Sequence, residues 1–187
     1  MRILVRPRFR RAVRGFTLIE AIATIVILAA LGSIASAIIV EASDGYVSAR
    51  VHAQLHTEAS IAMDRIVREL RNIPLDENAS DVVPDIDSID DESISWNDDY
   101  SISLSGSDIE IVEDGGPERM LLSDVSALNI QGFDDENDTL SQPRNGAQCD
   151  AIRRVQVTMT LSRHGVTETL RSKVFLRSTM AGSAGGS

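Results

Sequence analysis

The residue in this sequence with the strongest chemical demand is Glu20. It is the only charged residue between 16 and 40, a stretch otherwise apolar or small. A carboxylate at the centre of a bilayer costs about 2.5–3.5 kcal/mol and less near its edge, so an acid placed there needs a partner. The other reactive side chains are less demanding. His52 and His56 stand four apart and place two imidazoles on one helical face, but Ala53 occupies the position where a metalloprotease helix needs glutamate. His164 is the only other histidine, so the expectation is a solvated helical pair. Asp134, Glu136 and Asp138 alternate carboxylates as a calcium loop does, without the glycine and the distal glutamate of an EF-hand. A solvated acidic turn is the default for them. Cys149 is the single cysteine, which excludes an internal disulfide and predicts a buried, unreactive thiol, with pairing to another chain as the alternative. No serine lies in a Gly-x-Ser-x-Gly setting and no glycine-rich phosphate loop is present. Trp96 and Phe133 read as core. The chain is not expected to be an enzyme.

The element that must position Glu20 is a membrane-length helix. Residues 16–40 reach roughly 37 Å as a helix, enough to cross a ~30 Å hydrocarbon core with some tilt. Six arginines (Arg2, Arg6, Arg8, Arg10, Arg11, Arg14) and no acid precede it. That basic flank places the N-terminus in the cytoplasm and everything after Val40 on the far side. A cleavable secretory signal has a shorter apolar region of about 7–15 residues and a small-residue cleavage site after it, whereas this apolar block is too long and carries a glutamate at its head. A plain signal anchor remains possible, and would require neither Gly15-Phe16 nor Glu20.

The helical pattern continues past the apolar run. Val47, Val51, Leu55, Ala59, Ala62, Ile66, Leu70 and Ile73 follow one another at three- and four-residue steps, the signature of one helical face. Asp64 and Arg68 stand i,i+4 in the favourable order for an ion pair. Pro74 ends the pattern, and Ser43-Asp44-Gly45 is a soft point where the helix could loosen or restart. Unbroken, residues 16–73 would make a rod of ~87 Å. Residues 75–92 are crowded with aspartate and glutamate and read as a solvated loop, with a short strand at 82–83. After it the period changes to two. Strands are expected at 93–96, at 101–104 and 108–112 around Ser105-Gly106-Ser107, at 128–133 preceded by Val125, and at 153–161 and 166–177 joined by Ser162-Arg163-His164-Gly165. Residues 113–117 read as a turn and 134–150 as a polar loop. Such spacing implies an antiparallel sheet whose apolar face needs a cover, and the second half of the long helix supplies one.

The head of the chain resembles the type IV prepilin signature: a short basic leader, then Gly15, Phe16, and Glu20 four residues further on. The resemblance implies an α+β, pilin-like fold, a long N-terminal helix packed on an antiparallel β-sheet. It divides the chain into a leader (1–15), a transmembrane or filament-core helix (16–40), an amphipathic half (41–73), a β-rich extracytoplasmic domain (74–180) and a flexible tail (181–187). Prepilin peptidase would cut between Gly15 and Phe16 and N-methylate Phe16. The new amine would then pair with Glu20 of a neighbouring subunit. Residues 61–71 and 121–130 are similar to PilW-type minor pilins and J-type pseudopilins. Partners would be the peptidase, other pilins or pseudopilins and the inner-membrane assembly platform, with single-pass residence in the inner membrane before assembly. Two features depart from many pilins: no C-terminal disulfide can form, and residues 16–40 hold no helix-bending proline. No cofactor is expected, although some pseudopilins bind calcium in loops near Asp134, Glu136 and Asp138.

Charge bears on the partners. The chain carries −10 overall; without residues 1–15, 12 basic residues face 28 acidic ones, a balance of −16. Nucleic acid is therefore not an expected partner, which argues against a DNA-uptake role. A signal-anchored extracytoplasmic binding module that never polymerises is the alternative function.

Overall fold

The computed structural model describes residues 17–177. The leader 1–15, Phe16 and the tail 181–187 lie outside the described residues. One helix, α1 (Leu18–Arg71), is followed by nine strands: β1 (Ile86–Ile89), β2 (Ser93–Trp96), β3 (Tyr100–Ser105), β4 (Asp108–Val112), β5 (Arg119–Leu122), β6 (Val125–Phe133), β7 (Arg144–Asn145), β8 (Arg154–Arg163) and β9 (Val166–Phe175). A short 3-10 helix, Gly146–Ala151, follows β7. This is an α+β, pilin-like architecture with antiparallel sheets. Contacts divide the chain into two units, Met1–Val47 and Ser48–Ser187, with the division inside α1 and not at either end of the expected amphipathic half.

In the first unit, Thr17 precedes α1 and every large apolar side chain from Leu18 to Val40 is exposed. Ser43, Asp44 and Gly45 lie within the helix, which does not restart there. A Cβ on Gly32 or Gly45 would meet nothing within 4 Å, so no close packing inside the molecule demands glycine at either place.

In the second unit the helix has one buried stripe: Val51, Leu55, Ala59, Ala62, Met63, Ile66 and Leu70. Val47, expected on that stripe, is exposed and belongs to the first unit. Ile73 is buried beyond the last turn, ahead of Pro74. The stripe joins one core with the inner faces of two sheets. The first sheet has the order β5-β4-β3-β2-β1-β7 and the second β6-β8-β9. Consecutive hairpins build the first. Gly106 (φ +65°) opens the two-residue loop between Ser105 and Asp108, and His164 and Gly165, both at positive φ, close the β8–β9 hairpin. Asp124, also at positive φ, turns β6 away from β5 to pair with β8.

Several expectations on loops are corrected. Residues 86–89, read as part of a solvated acidic loop, form β1 with Ile86 and Ile89 buried. A register shift between Ile86 and Ser88 lets two isoleucines three apart share the inner face, which a period of two would forbid. Val82–Val83 is not a strand; Val83 is buried, and Leu75 bridges Pro84 beside it. The polar loop 134–150 contains β7, which pairs with β1, and most of the 3-10 helix that buries Cys149. Residues 119–122 add β5 at an edge. The Asp64–Arg68 ion pair does not form among the described residues; Arg65 instead pairs with Glu69 at 3.0 Å and with Glu113.

Candidate functional site: the head of the helix

Glu20 sits in the first turn of α1, where an acid complements the positive end of the helix dipole. Thr17 precedes the helix. Its carbonyl accepts from the Glu20 and Ala21 amides at 3.1 Å each, and its hydroxyl lies 3.4 Å from the Glu20 amide. Thr17 and Glu20 thus have the Thr-x-x-Glu spacing of a capping box, a signal present in the sequence that the charge argument passed over. The Glu20 side chain is exposed and makes no ion pair among the described residues. Gly15 and Phe16, the expected cleavage and methylation positions, lie outside the described residues.

The helix that follows is built for an apolar surrounding. Leu18 and Ile19 are 80% and 77% exposed, and isoleucine, leucine and valine continue on all sides to Val40. A helix apolar all round belongs inside a membrane or a packed assembly. This one is long and apolar enough to cross a membrane by length and composition. Two of its hydroxyls are satisfied internally: Thr24 donates to the Ala21 carbonyl and Ser33 to the Ala30 carbonyl, both at 2.8 Å. That removes the penalty an unpaired hydroxyl would incur in hydrocarbon.

Residues 10–36 match the prokaryotic N-terminal methylation motif. The head of this chain is of prepilin type. The match spans Gly15, Phe16, Thr17 and Glu20 together with most of the exposed apolar run. A prepilin-type head thus precedes a pilin-like α+β fold, joined to it by a helix long and apolar enough to cross a membrane. No curated protein matches the chain.

The remaining candidates are placed as follows. Asp134, Glu136 and Asp138 do not converge; among the described residues no group of three His, Cys, Asp or Glu side chains is disposed to hold a metal ion. The Asp134 carboxylate instead accepts from the Asp138 amide at 2.7 Å, and Arg154 donates to the carbonyls of Asp134 and Asp135. Lys173 binds Asn137 at 2.9 Å. Two cations beside the loop oppose a third positive charge there.

His52 and His56 are not simply solvated. His52 Nε2 lies 3.0 Å and His56 Nδ1 2.8 Å from the two oxygens of Glu168, a carboxylate only 15% exposed on β9. Glu168 is 112 residues from His56, and nothing local in the sequence announces the contact. Arg163 was equally hidden: it binds Glu58 of the helix at 2.8 Å and Asp124 at 2.7 Å, fastening helix, turn and sheet. Cys149 is free and fully buried, and burial pushes its thiol up to about 11, which leaves little thiolate to react. Trp96 is buried and stacks on Tyr100 at 5.8 Å.

Proposed function

We propose that this chain is a structural subunit of a type IV pilus or a type II secretion pseudopilus, with the place of a PilW-type minor pilin or a J-type pseudopilin. The observation that carries this reading is the coincidence of a methylation-motif match with a helical stretch, Leu18 to Val40, whose large apolar side chains are all exposed among the described residues. Prepilin peptidase cuts between Gly15 and Phe16 and methylates the new amine on Phe16. The basic leader holds that end on the cytoplasmic side, and the β-rich unit stands across the inner membrane.

Glu20 then gives the assembly its register. The new amine of one subunit meets Glu20 of its neighbour. At 4 Å and an effective dielectric near 20 the attraction is about 4 kcal/mol, and leaving either charge unpaired in an apolar surrounding is strongly penalised. A subunit that slips along its neighbour loses the pair. Other pilins or pseudopilins and the inner-membrane platform are the partners, and no enzymatic step is assigned to the chain.

Mass spectrometry of the mature protein tests the processing step. The expected N-terminus is N-methylated Phe16; a chain retaining residues 1–15 would defeat the reading. Replacing Glu20 by Ala then separates a filament subunit from a signal-anchored binding module. Assembly should fail in the first case, with membrane insertion intact, whereas the module should be unaffected.

A further inference from the structure

Four cations gather at the end of the β-rich unit in a protein whose net charge is −10. Arg68 and Arg71 come from the last turns of α1, and Lys173 and Arg177 from the other end of the sequence. With Asp64 as the only acid, they line an open groove of about 660 Å³ beside β9. Arg68, Arg71 and Arg177 have no carboxylate within 4.0 Å among the described residues. Phe175, half exposed, gives the groove an apolar floor, and Arg154 lies 4.6 Å from its ring centroid.

Two basic residues in a last helical turn are ordinary, since they complement the helix dipole. Lys173 on β9, whose ammonium also binds Asn137, and Arg177 just beyond β9 line the same groove from about a hundred residues away, and that dipole does not explain them. The strand is itself unfinished. β9 is ten residues long, pairs with β8 on one side, and pairs with no described strand on the other. Arg171, Lys173 and Phe175 alternate along it on the exposed face. Charges on an open edge repel a like-charged strand. Here they are cationic, so an acidic strand is the one they admit.

We propose that this groove docks an extended acidic segment of another protein subunit, added as a further strand on β9 with its carboxylates toward Arg68, Arg71 and Arg177. Charge complementarity selects the sign of the partner, and the open edge selects its conformation. A phosphorylated headgroup or a nucleic acid matches the charge but offers no peptide backbone to pair with β9. The proposal does not depend on the filament reading, because it concerns a surface of the β-rich unit alone.

The test uses the full chain in neutral detergent and three labelled peptides, with binding followed by fluorescence anisotropy. One peptide alternates Glu and Val, the second alternates Lys and Val, and the third is the Glu–Val peptide interrupted by prolines. The first should bind, and the second should not. The third should bind at least about tenfold more weakly, because proline removes the donors a strand needs. Combined Arg68→Glu and Arg71→Glu should weaken the first by about tenfold or more, as should Arg177→Glu alone if the double variant unfolds. Hydrogen exchange of β9 amides should slow on binding. Equal binding of acidic and basic peptides, indifference to all three charge reversals, or equal binding of the proline-interrupted peptide would overturn the proposal. Displacement of the acidic peptide by glycerol phosphate, with no protection of β9, would also overturn it and reassign the surface to anionic headgroups.

Discussion

Between Leu18 and Val40 the helix presents leucine, isoleucine and valine on every side, all exposed; between Val51 and Leu70 the same helix buries a single stripe and leaves the rest to water. The second stretch finds its apolar partner within the molecule, in Ile102, Ile109, Val155, Val157 and their neighbours on two sheets. Among the described residues the first buries none of its large apolar side chains. An amphipathic face can be satisfied by one layer of sheet, whereas a helix apolar all round needs a surrounding medium or several other helices. The contrast teaches that the chain is finished as a fold at one end and unfinished at the other.

The largest break in that contrast is a charge placed in each stretch. Leu55→Asp puts an unpaired carboxylate into a fully buried site, and should abolish the cooperative melt of the β-rich unit. Trp96 is the only tryptophan and is buried in that unit, so its fluorescence is the readout. Ile27→Asp should leave the Trp96 transition where it was, yet reduce membrane insertion by about 2.5–3.5 kcal/mol, measured as the inserted fraction. A shifted melt in Ile27→Asp would show that the two units are energetically coupled. Truncation is gentler: Ile66→Ala should cost about 2–5 kcal/mol on denaturant unfolding, while Leu28→Ala should cost nothing by the same probe.

Thr17→Ala tests the capped head. It should loosen the first turn by about 1 kcal/mol, seen as faster amide exchange at Ile19, Glu20 and Ala21, without moving the Trp96 melt. The smallest effect concerns Asp85. Its carboxyl is held above the usual aspartate range, first by burial and then by Asp87, Asp76, Asp98 and Glu77. The folded chain therefore binds this proton more tightly than the unfolded one. Its ionised form costs stability above the raised value, and that cost disappears as pH falls below the ordinary aspartate value of about 3.9. Asp85→Asn should stabilise the chain at neutral pH and lose its advantage in acid, measured by thermal melts across that range.

Much of this was legible from residue types. The bounds of β2 and β4 coincide with turn chemistry on either side, and the buried stripe of α1 follows the helical period almost throughout. The expected loops at 75–92 and 134–150 were misread over 86–89 and 144–150 for a common reason. Acidic or polar residues flank the few apolar ones, so burial of Ile86 and Ile89 depends on a register shift, and the shape of 144–150 on a 3-10 turn, that local patterning does not encode. At the head, spacing revealed Glu20 but the charge argument obscured Thr17, although both belong to one capping pattern.

What the amino acids determined unaided is the apolar run with its lone acid, the six arginines before it, and the alternation that makes strands. These are properties of composition and period, set by the cost of charge in hydrocarbon and by the geometry of one residue after the next. Only the tertiary structure decided that His52 and His56 meet Glu168, that Arg163 ties Glu58 to Asp124, and that four cations share a groove beside the open edge of β9. Most of those meetings join residues about a hundred positions apart, and they exist only once two sheets have closed over the helix.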